Sequence, residues 1–428
     1  MEEMNRRKFV TASAAASGLL LLKSKTAFGY EANSAVRLGL LGCGNRGTTV
    51  ATTFAKYARA RVVALGDIFP DKLAAGKAHF NELNAGLGHA AIEDRLIFHG
   101  AEAFQELAQA KDLDMVQIST PPWFHVQHLE AAVDAGKHVY CEKPVGVDVV
   151  QAKKALEIAE RVKGRQSVDV GFEVRSAPPI AAVVERVKAG ALGKIAAATG
   201  VYYAPSAKDK PFPGASADEQ RLRNWLWYRA LSGDILVEQN IHIIDLCNWA
   251  LGAHPLKAIA TGGRTVTTHA GDCWDNYQVS YTYPGEVHLS FASTQFGDYG
   301  GFDAALRIFG DKGAAEIPYA GPVRVLGESA WTWQEGSGAG AAGAGKFAEN
   351  GDFEDNLALA DRDKTSSFIE SITSGKFHNQ IAAGVESARS CMLGRMAGYT
   401  GREVTWEELL GHGETYSLGM DISRFGKS

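Results

Sequence analysis

The spacing of apolar positions changes character once along the chain. Residues 36–41 make a short apolar run closed by glycine, the pattern of a strand buried on both faces of a parallel sheet. A helical stretch over 48–59 follows, and then a second strand over 61–66. Short apolar runs at 96–98, 115–120 and 138–141 predict further strands, with helical patterns at 102–110 and 125–135 between them. An amphipathic helix over 148–163 keeps Ala152, Ala155, Leu156 and Ala159 on one face. Strands alternating with helices at this spacing predict βαβ units and a doubly wound parallel sheet. After about residue 165 the period drops to two, at 195–203, 277–283 and 287–292, which predicts the antiparallel strands of a second sheet. Helical patterns over 363–374 and 383–399 close the chain, and the Gly/Ala/Ser tract at 336–345 reads as a flexible loop.

At 428 residues a single core would be unusually large, so two domains are expected. With 46% hydrophobic and 22% charged residues, the composition is that of a soluble globular protein. The net charge of -5 gives no support to nucleic-acid binding. Five widely spaced cysteines with no CxxC pair argue against a disulfide framework or a metal site.

The N-terminus stands out. Arg6-Arg7-Lys8-Phe9-Val10 precedes an Ala-rich apolar run over 11–22 that is too brief for a membrane span, then Lys23 and Lys25. Paired arginines in this setting resemble a twin-arginine export signal, against a chance basic start or a retained anchor. Small residues around Ala27-Phe28-Gly29 or Ala32 offer cleavage points. Residues 1–35 are therefore set apart from the fold as signal and linker, the membrane is met only during export, and a periplasmic location is expected.

Directly after the first strand comes Gly42-Cys43-Gly44-Asn45-Arg46-Gly47, a G-x-G-x-x-G opening a helix. Asp67 ends the next strand twenty residues past Gly47. Such glycines permit a tight turn and close approach of a pyrophosphate to the helix N-terminus, where unpaired N–H groups favour anions. A carboxylate at position 67 would accept hydrogen bonds from ribose hydroxyls and repel a 2′-phosphate, favouring NAD. Arg46 leaves NADP open, as a group able to hold the extra phosphate.

Three further segments accompany this motif: Ser119-Thr120-Pro121-Pro122 with His125 and Ala135-Gly136-Lys137-His138-Val139; Glu142-Lys143-Pro144; and 233–242, ending Glu238-Gln239-Asn240-Ile241-His242, with Asp245 beyond. Together with the helix Gly384-Val385-Glu386-Ser387-Ala388-Arg389, they resemble the glucose-fructose oxidoreductase and inositol dehydrogenase family, Gfo/Idh/MocA, over residues 36–410. The resemblance implies an α/β fold with a Rossmann domain over 36–160. A second domain over 161–428 would be built on a large, open, mostly antiparallel sheet, through which homo-oligomers form. Nicotinamide would sit in the cleft between them. Lys143 then matches the lysine beside the reacting hydroxyl or carbonyl, where an ammonium stabilises alkoxide charge or relays a proton. Glu142 would orient Lys143 or the nicotinamide end, and Thr120, Pro121 and His125 would stand at the nucleotide, His125 in a structural role.

His242 matches the family histidine, a general base, and Glu238 stands where the family usually has aspartate. On one helix, positions i and i+4 share a face, so Glu238 and His242 would point into one cleft and bind adjacent sugar hydroxyls. Asn240 replaces the usual glycine and adds an amide there. Asp245 either supports this network or makes a salt bridge. The segment from Arg223 to Arg229, which includes Trp225, reads as a sugar-stacking wall or as core packing, and Arg175, Tyr202 and Tyr203 are further substrate-side candidates.

The resemblance implies an NAD(P)-dependent oxidoreductase acting on a sugar, polyol or glycoside. An exported enzyme has no NAD pool to exchange with, so its cofactor would be tightly bound and carried out within the folded chain. The close alternative is a redox-neutral NAD-dependent glycosidase or lyase working through a transient keto-sugar. A non-catalytic sugar-binding protein is the remaining class.

Overall fold

The computed structural model describes residues 35–205, 210–268, 270–297, 302–334 and 355–425. The export features and the 336–345 tract lie outside the described residues. From Arg37 onward the chain forms one compact unit. Two sheets organise it.

The first sheet comprises β1 (Val36–Leu41), β2 (Ala60–Asp67), β3 (Ile97–His99), β4 (Met115–Ile118), β5 (His138–Cys141) and β6 (Val168–Val170). Between them run α1 (Asn45–Tyr57), α2 (Pro70–Gly86), α3 (Ala103–Gln109), α4 (His125–Asp134) and α5 (Val149–Val162). The order is β3-β2-β1-β4-β5-β6, and every neighbouring pair is parallel. Leu38 is paired with Met115, and Met115 with His138. Leu38, Leu40, Met115, Ile118, Val139 and Cys141 are fully buried, as the unbroken apolar runs required of strands covered by helices on both faces. Strand order reverses between β1 and β4, which opens a crevice at their carboxyl ends. The sheet takes in Val168–Val170, beyond residue 160.

The second sheet joins β7 (Ile195–Ala204), β8 (Lys257–Gly263), β9 (Asn276–Tyr283), β10 (Val287–Gln295), β11 (Asp303–Gly310), β12 (Gly313–Pro318), β13 (Arg324–Gly327), β14 (Trp331–Thr332) and β15 (Val404–Thr405). Its order is β14-β13-β12-β11-β7-β10-β9-β8-β15. All pairs are antiparallel except β7 with β10, where Ala197 faces His288 and Ala204 faces Gln295. Along β9, Tyr277, Val279, Tyr281 and Tyr283 are buried while Gln278 and Ser280 are exposed, the period-two pattern made physical. The buried side packs on helices α6 (Pro178–Lys188), α10 (Ile241–Leu251) and α12 (Ile381–Thr400). Four more helices complete the unit around them: α7 (Ala217–Arg223), α8 (Arg229–Ser232), α9 (Ile235–Glu238) and α11 (Ala360–Ser374), with α13 (Trp406–Gly411) at the end.

The 17-residue helix α2 has no counterpart in the periodicity reading. Its buried stripe is Leu73, Gly76, Phe80 and Asn84, so only two large apolar residues announce it. Helix α1 begins at Asn45, earlier than residue 48, and this places its first turn directly against the glycine loop.

Candidate active site

The loop after β1 is shaped by contacts that a side chain would break. Gly42 has φ 92°, and a Cβ there would lie 2.6 Å from the Ser119 carbonyl carbon in the loop after β4. A Cβ on Gly47 would meet the Gly42 oxygen at 2.1 Å. At Gly44, by contrast, a Cβ would meet nothing within 4 Å. Gly44 is the N-cap of α1 and supplies no side-chain cap, so the first N–H groups of the helix face an open cavity. That cavity, about 360 Å³, is lined by Gly42, Gly44, Asn45, Arg46, Gly47, Asp67, Thr120 and Pro121 among others, and it reaches Gln239, beside Glu238. Uncapped N–H groups, a glycine open to the cavity and a carboxylate at the end of β2 fit a dinucleotide pyrophosphate and its ribose.

Asp67 is buried and accepts from the backbone N–H groups of Cys43 at 2.7 Å and Phe69 at 2.8 Å. Burial pushes its carboxyl above the ordinary value, and these two donors oppose the shift. Around it the cavity wall is made by Phe69, Lys72, Phe212 and residues 222–227. Trp225 therefore belongs to the Asp67 end, where it packs against the cluster of Phe69, Phe124, Leu222, Leu231 and Leu418. Of the two expectations for this segment, the packing one describes the Trp225 surroundings, and the segment also lines the cavity. Its aromatic rings bury themselves with the apolar side chains that follow β2 and with the chain's C-terminal segment.

Lys143 leads the turn after β5. Its ammonium donates to Glu238 Oε1 at 2.7 Å and to the Glu238 carbonyl. The turn is tethered by His125, which is buried. Its Nδ1 lies 2.8 Å from the Pro144 carbonyl and its Nε2 2.7 Å from the Thr120 carbonyl. His125 thus ties the β4 loop to the lysine turn. Thr120 Oγ1 contacts His128 Nδ1 at 3.0 Å, and burial pushes His128 down to about 3, so this imidazole is neutral.

Glu238 and His242 do not share a helix. Glu238 ends α9, and α10 starts at Ile241 after an Asn240 cap. The Glu238 carbonyl, which an unbroken helix would direct at the His242 N–H, is turned to Lys143 Nζ. The carboxylate beside His242 is instead Glu173, 3.8 Å from Oε1 to His242 Nε2. Burial, reinforced by the Lys143 and Arg46 charges, holds His242 well below its ordinary value, so it is a neutral imidazole. Its Nδ1 and both amide atoms of Asn240 are buried and find no partner among the described residues.

The segment bearing Glu238 is anchored from below. Asp234 adopts φ 77° and caps α9 through Ile235 N–H at 2.7 Å. Its other oxygen accepts from Tyr399 at 2.7 Å and Tyr277 at 3.0 Å. Buried Arg395 donates to the Gly233 carbonyl at 2.7 Å and to the Val147 carbonyl at 2.9 Å.

Arg46 lines the cavity and is at the same time engaged by acids. Its guanidinium contacts Asp361 at 2.6 Å, Glu142 at 2.9 Å and Glu173 at 3.5 Å. Three carboxylates engage the group able to hold a 2′-phosphate; Glu142 and Glu173, after β5 and β6, are buried, Asp361 on α11 is partly buried, and such acids require a cation. Glu142 is correspondingly bound to Arg46 rather than to Lys143, and burial raises its carboxyl. Arg175 and Asp245 form a bidentate pair at 2.7 and 2.8 Å, and Ser387 donates to Asp245 at 2.7 Å. Asp245 thus makes the salt bridge and stands outside the Glu238 network. Tyr202 is buried against Phe302 and Tyr203 half-buried. Glu173, Asp361 and His128 escaped sequence reasoning. Glu173, one residue past Phe172 in the turn after β6, carries no motif, and Asp361 lies 315 residues from Arg46.

Residues 36–171 match the family described as "Oxidoreductase family, NAD-binding Rossmann fold", and residues 180–316 the "GFO/IDH/MocA C-terminal domain". The chain is 29% identical to an inositol 2-dehydrogenase of Rhizobium meliloti over 295 residues, covering 68% of this chain and 78% of that protein. A glycosyl hydrolase family 109 protein of Streptomyces niveus is 32% identical over 134 residues, 31% of this chain and 26% of that one. The fold superimposes with a TM-score of 0.66 and 19% identity on scyllo-inositol dehydrogenase from Lactobacillus casei, solved with NAD(H) and scyllo-inositol, covering 87% of this chain and all of that one. With its parallel nucleotide sheet, its Lys143–Glu238 pair and both family regions in sequence, the chain belongs to the Gfo/Idh/MocA oxidoreductase family.

Proposed function

We propose that this protein oxidises a hydroxyl of a sugar or polyol, or reduces the corresponding carbonyl, at Lys143, Glu238 and His242, beyond the point where Gln239 lines the cavity. The observation that carries the reading is an ammonium held by a buried carboxylate, near a neutral imidazole with an unpaired nitrogen, on the segment whose Gln239 lines the cavity that Gly44 also lines. NAD, when bound, supplies the hydride acceptor. Gly42, Gly44, Asn45 and Gly47 would hold its pyrophosphate, and Asp67 its ribose hydroxyls. Lys143 stabilises negative charge developing on the substrate oxygen. His242 takes the hydroxyl proton. The unpartnered amide of Asn240 is available to a neighbouring hydroxyl.

The engagement of Arg46 by three carboxylates supports NAD over NADP. The Arg6-Arg7 signal supports folded export to the periplasm with nucleotide tightly held, and the open sheet supports a homo-oligomer. The relative of glycosyl hydrolase family 109 favours a second reading, redox-neutral glycoside cleavage. The test begins with denaturing the purified protein and identifying the released nucleotide. The protein is then incubated with myo-inositol, scyllo-inositol, glucose and aryl glycosides. Formation of reduced nicotinamide with a polyol or sugar supports the proposal. Glycoside cleavage with no accumulation of reduced nicotinamide moves the assignment to the second reading. Absence of both bound nucleotide and NAD affinity overturns both.

A further inference from the structure

Glu173 occupies the turn after β6, buried, and bridges two parts of the site. One carboxylate oxygen lies 3.5 Å from Arg46 Nη2, the other 3.8 Å from His242 Nε2. Glu142 and Asp361 contact the same guanidinium, at 2.9 and 2.6 Å. Among the described residues, three carboxylates thus surround one guanidinium, an arrangement that favours a proton on one of them. Of the three, and among the described residues, only Glu173 also lies within 4 Å of an imidazole.

We propose that Glu173 is the proton partner of His242, a positioning residue that acts through the imidazole. This rests on the hydride-transfer reading above for its use in turnover. As a substrate hydroxyl gives its proton to His242 Nδ1, the 3.8 Å between His242 Nε2 and Glu173 Oε1 closes to hydrogen-bond distance and the Nε2 proton passes to the ionised carboxylate. One O–H bond breaks, one N–H forms, one N–H breaks and one O–H forms, and the imidazole ends neutral, as it began. Carbonyl reduction runs the same relay backwards and starts from protonated Glu173.

The groups facing Glu173 agree with this role. Arg46 on α1 favours the carboxylate, while Glu142 after β5 and Asp361 on α11 oppose it. The hydroxyls of Tyr140, Tyr202 and Tyr319 feel its charge, and Lys143 acts on His242 from the opposite turn. Burial, with Asp361 and Glu142, pushes Glu173 up to about 7. Near neutrality both protonation states are therefore populated, as a relay that runs in both directions requires.

Histidine-labelled protein, carrying whatever nucleotide it retains, tests the proposal by NMR. The His242 ring signals are assigned with His242→Asn and followed against pH. The wild type should show a step near the Glu173 titration, Glu173→Gln should abolish it, and Glu173→Asp should restore it at a displaced pH. With whichever of myo-inositol, scyllo-inositol or glucose is turned over, the wild-type oxidation rate should rise as pH passes about 7. Glu173→Gln should flatten that limb and lower kcat about 30-fold, with KM changed less than about twofold. Persistence of the His242 step and of the rate limb in Glu173→Gln would overturn the proposal while leaving the functional reading intact. Failure of every substrate removes the functional reading alone, because the His242 step is read without turnover. Should Glu173→Gln not fold, Glu173→Asp decides through the position of the step, and an unmoved step overturns the proposal.

Discussion

At the Asp67 end of the cleft, the carboxylate and its neighbouring ion pair are matched within the protein. Asp67 accepts two backbone N–H groups, and Arg223 binds Asp71 in bidentate fashion while lying 3.9 Å from the Phe69 ring centroid. At the Glu238 end the balance differs. His242 Nδ1 and both amide atoms of Asn240 are buried without partners among the described residues, and three acids contact one arginine. A buried polar atom left unpaired costs about 1–3 kcal/mol, so a chain retains several together only where something else supplies the partner. On the function proposed above, the first region would hold the nucleotide and the second would offer its unpaired atoms to the substrate.

The largest effect expected is at Lys143. Lys143→Met removes the ammonium and leaves Glu238 without its charge partner, and turnover should fall by about 10³-fold or more. Bound nucleotide, measured after denaturation, should remain, because the pyrophosphate loop is untouched. Loss of the nucleotide together with activity would show that the two ends are not separable. The double variant Lys143→Met/Glu238→Gln removes the orphaned charge and tests whether folding was the cause.

The converse change is Gly44→Ala. A Cβ there meets no protein atom within 4 Å and the residue has an ordinary φ of -75°, so thermal stability without nucleotide should be unchanged or slightly raised. The methyl group enters the space beside the uncapped α1 N-terminus, and NAD affinity, read by calorimetry, should drop about 10- to 100-fold. Unchanged affinity would mean that the pyrophosphate does not approach this backbone.

These two variants fall on the parts of the site most legible in the sequence. G-x-G-x-x-G, Glu142-Lys143-Pro144 and the segment ending at His242 are local patterns, and local sequence reports which residue types a turn or helix start needs. Partnership was less legible. The helix expected to join Glu238 to His242 is broken by a bond from Lys143, 95 residues upstream, and Arg46 meets an acid 315 residues away. No periodicity encodes such distances. Helix α2 was missed for a related reason, since Gly76 and Asn84 occupy half of its buried stripe.

The electrostatic contrast between the ends is tested by pH. Glu173 is raised from 4.5 to about 7, so between these values the folded chain keeps a proton that the unfolded chain has released. The associated stability is fully present below about pH 4.5 and lost as pH rises through about 7. Glu173→Gln cannot lose it. At about pH 8 the variant should therefore melt roughly 2 °C above its position relative to wild type at about pH 5, as measured by calorimetry. No pH dependence in the difference would remove the excess negative charge from the account of this end.

The smallest effect sharpens the boundary between the regions. Trp225 packs in the apolar cluster with Phe69 and lines the cavity on the Asp67 side. Partial removal of such a surface is worth about 0.5–1.5 kcal/mol beyond area burial, so Trp225→Ala should weaken NAD binding about 2- to 10-fold. Substrate KM at saturating nucleotide should stay within about twofold, because the indole packs with the cluster of Phe69, Phe124 and Leu222. A rise in KM larger than the loss of nucleotide affinity would return this tryptophan to the substrate side, as the sequence first suggested, and would place the aromatic cluster between the two ends rather than at one of them.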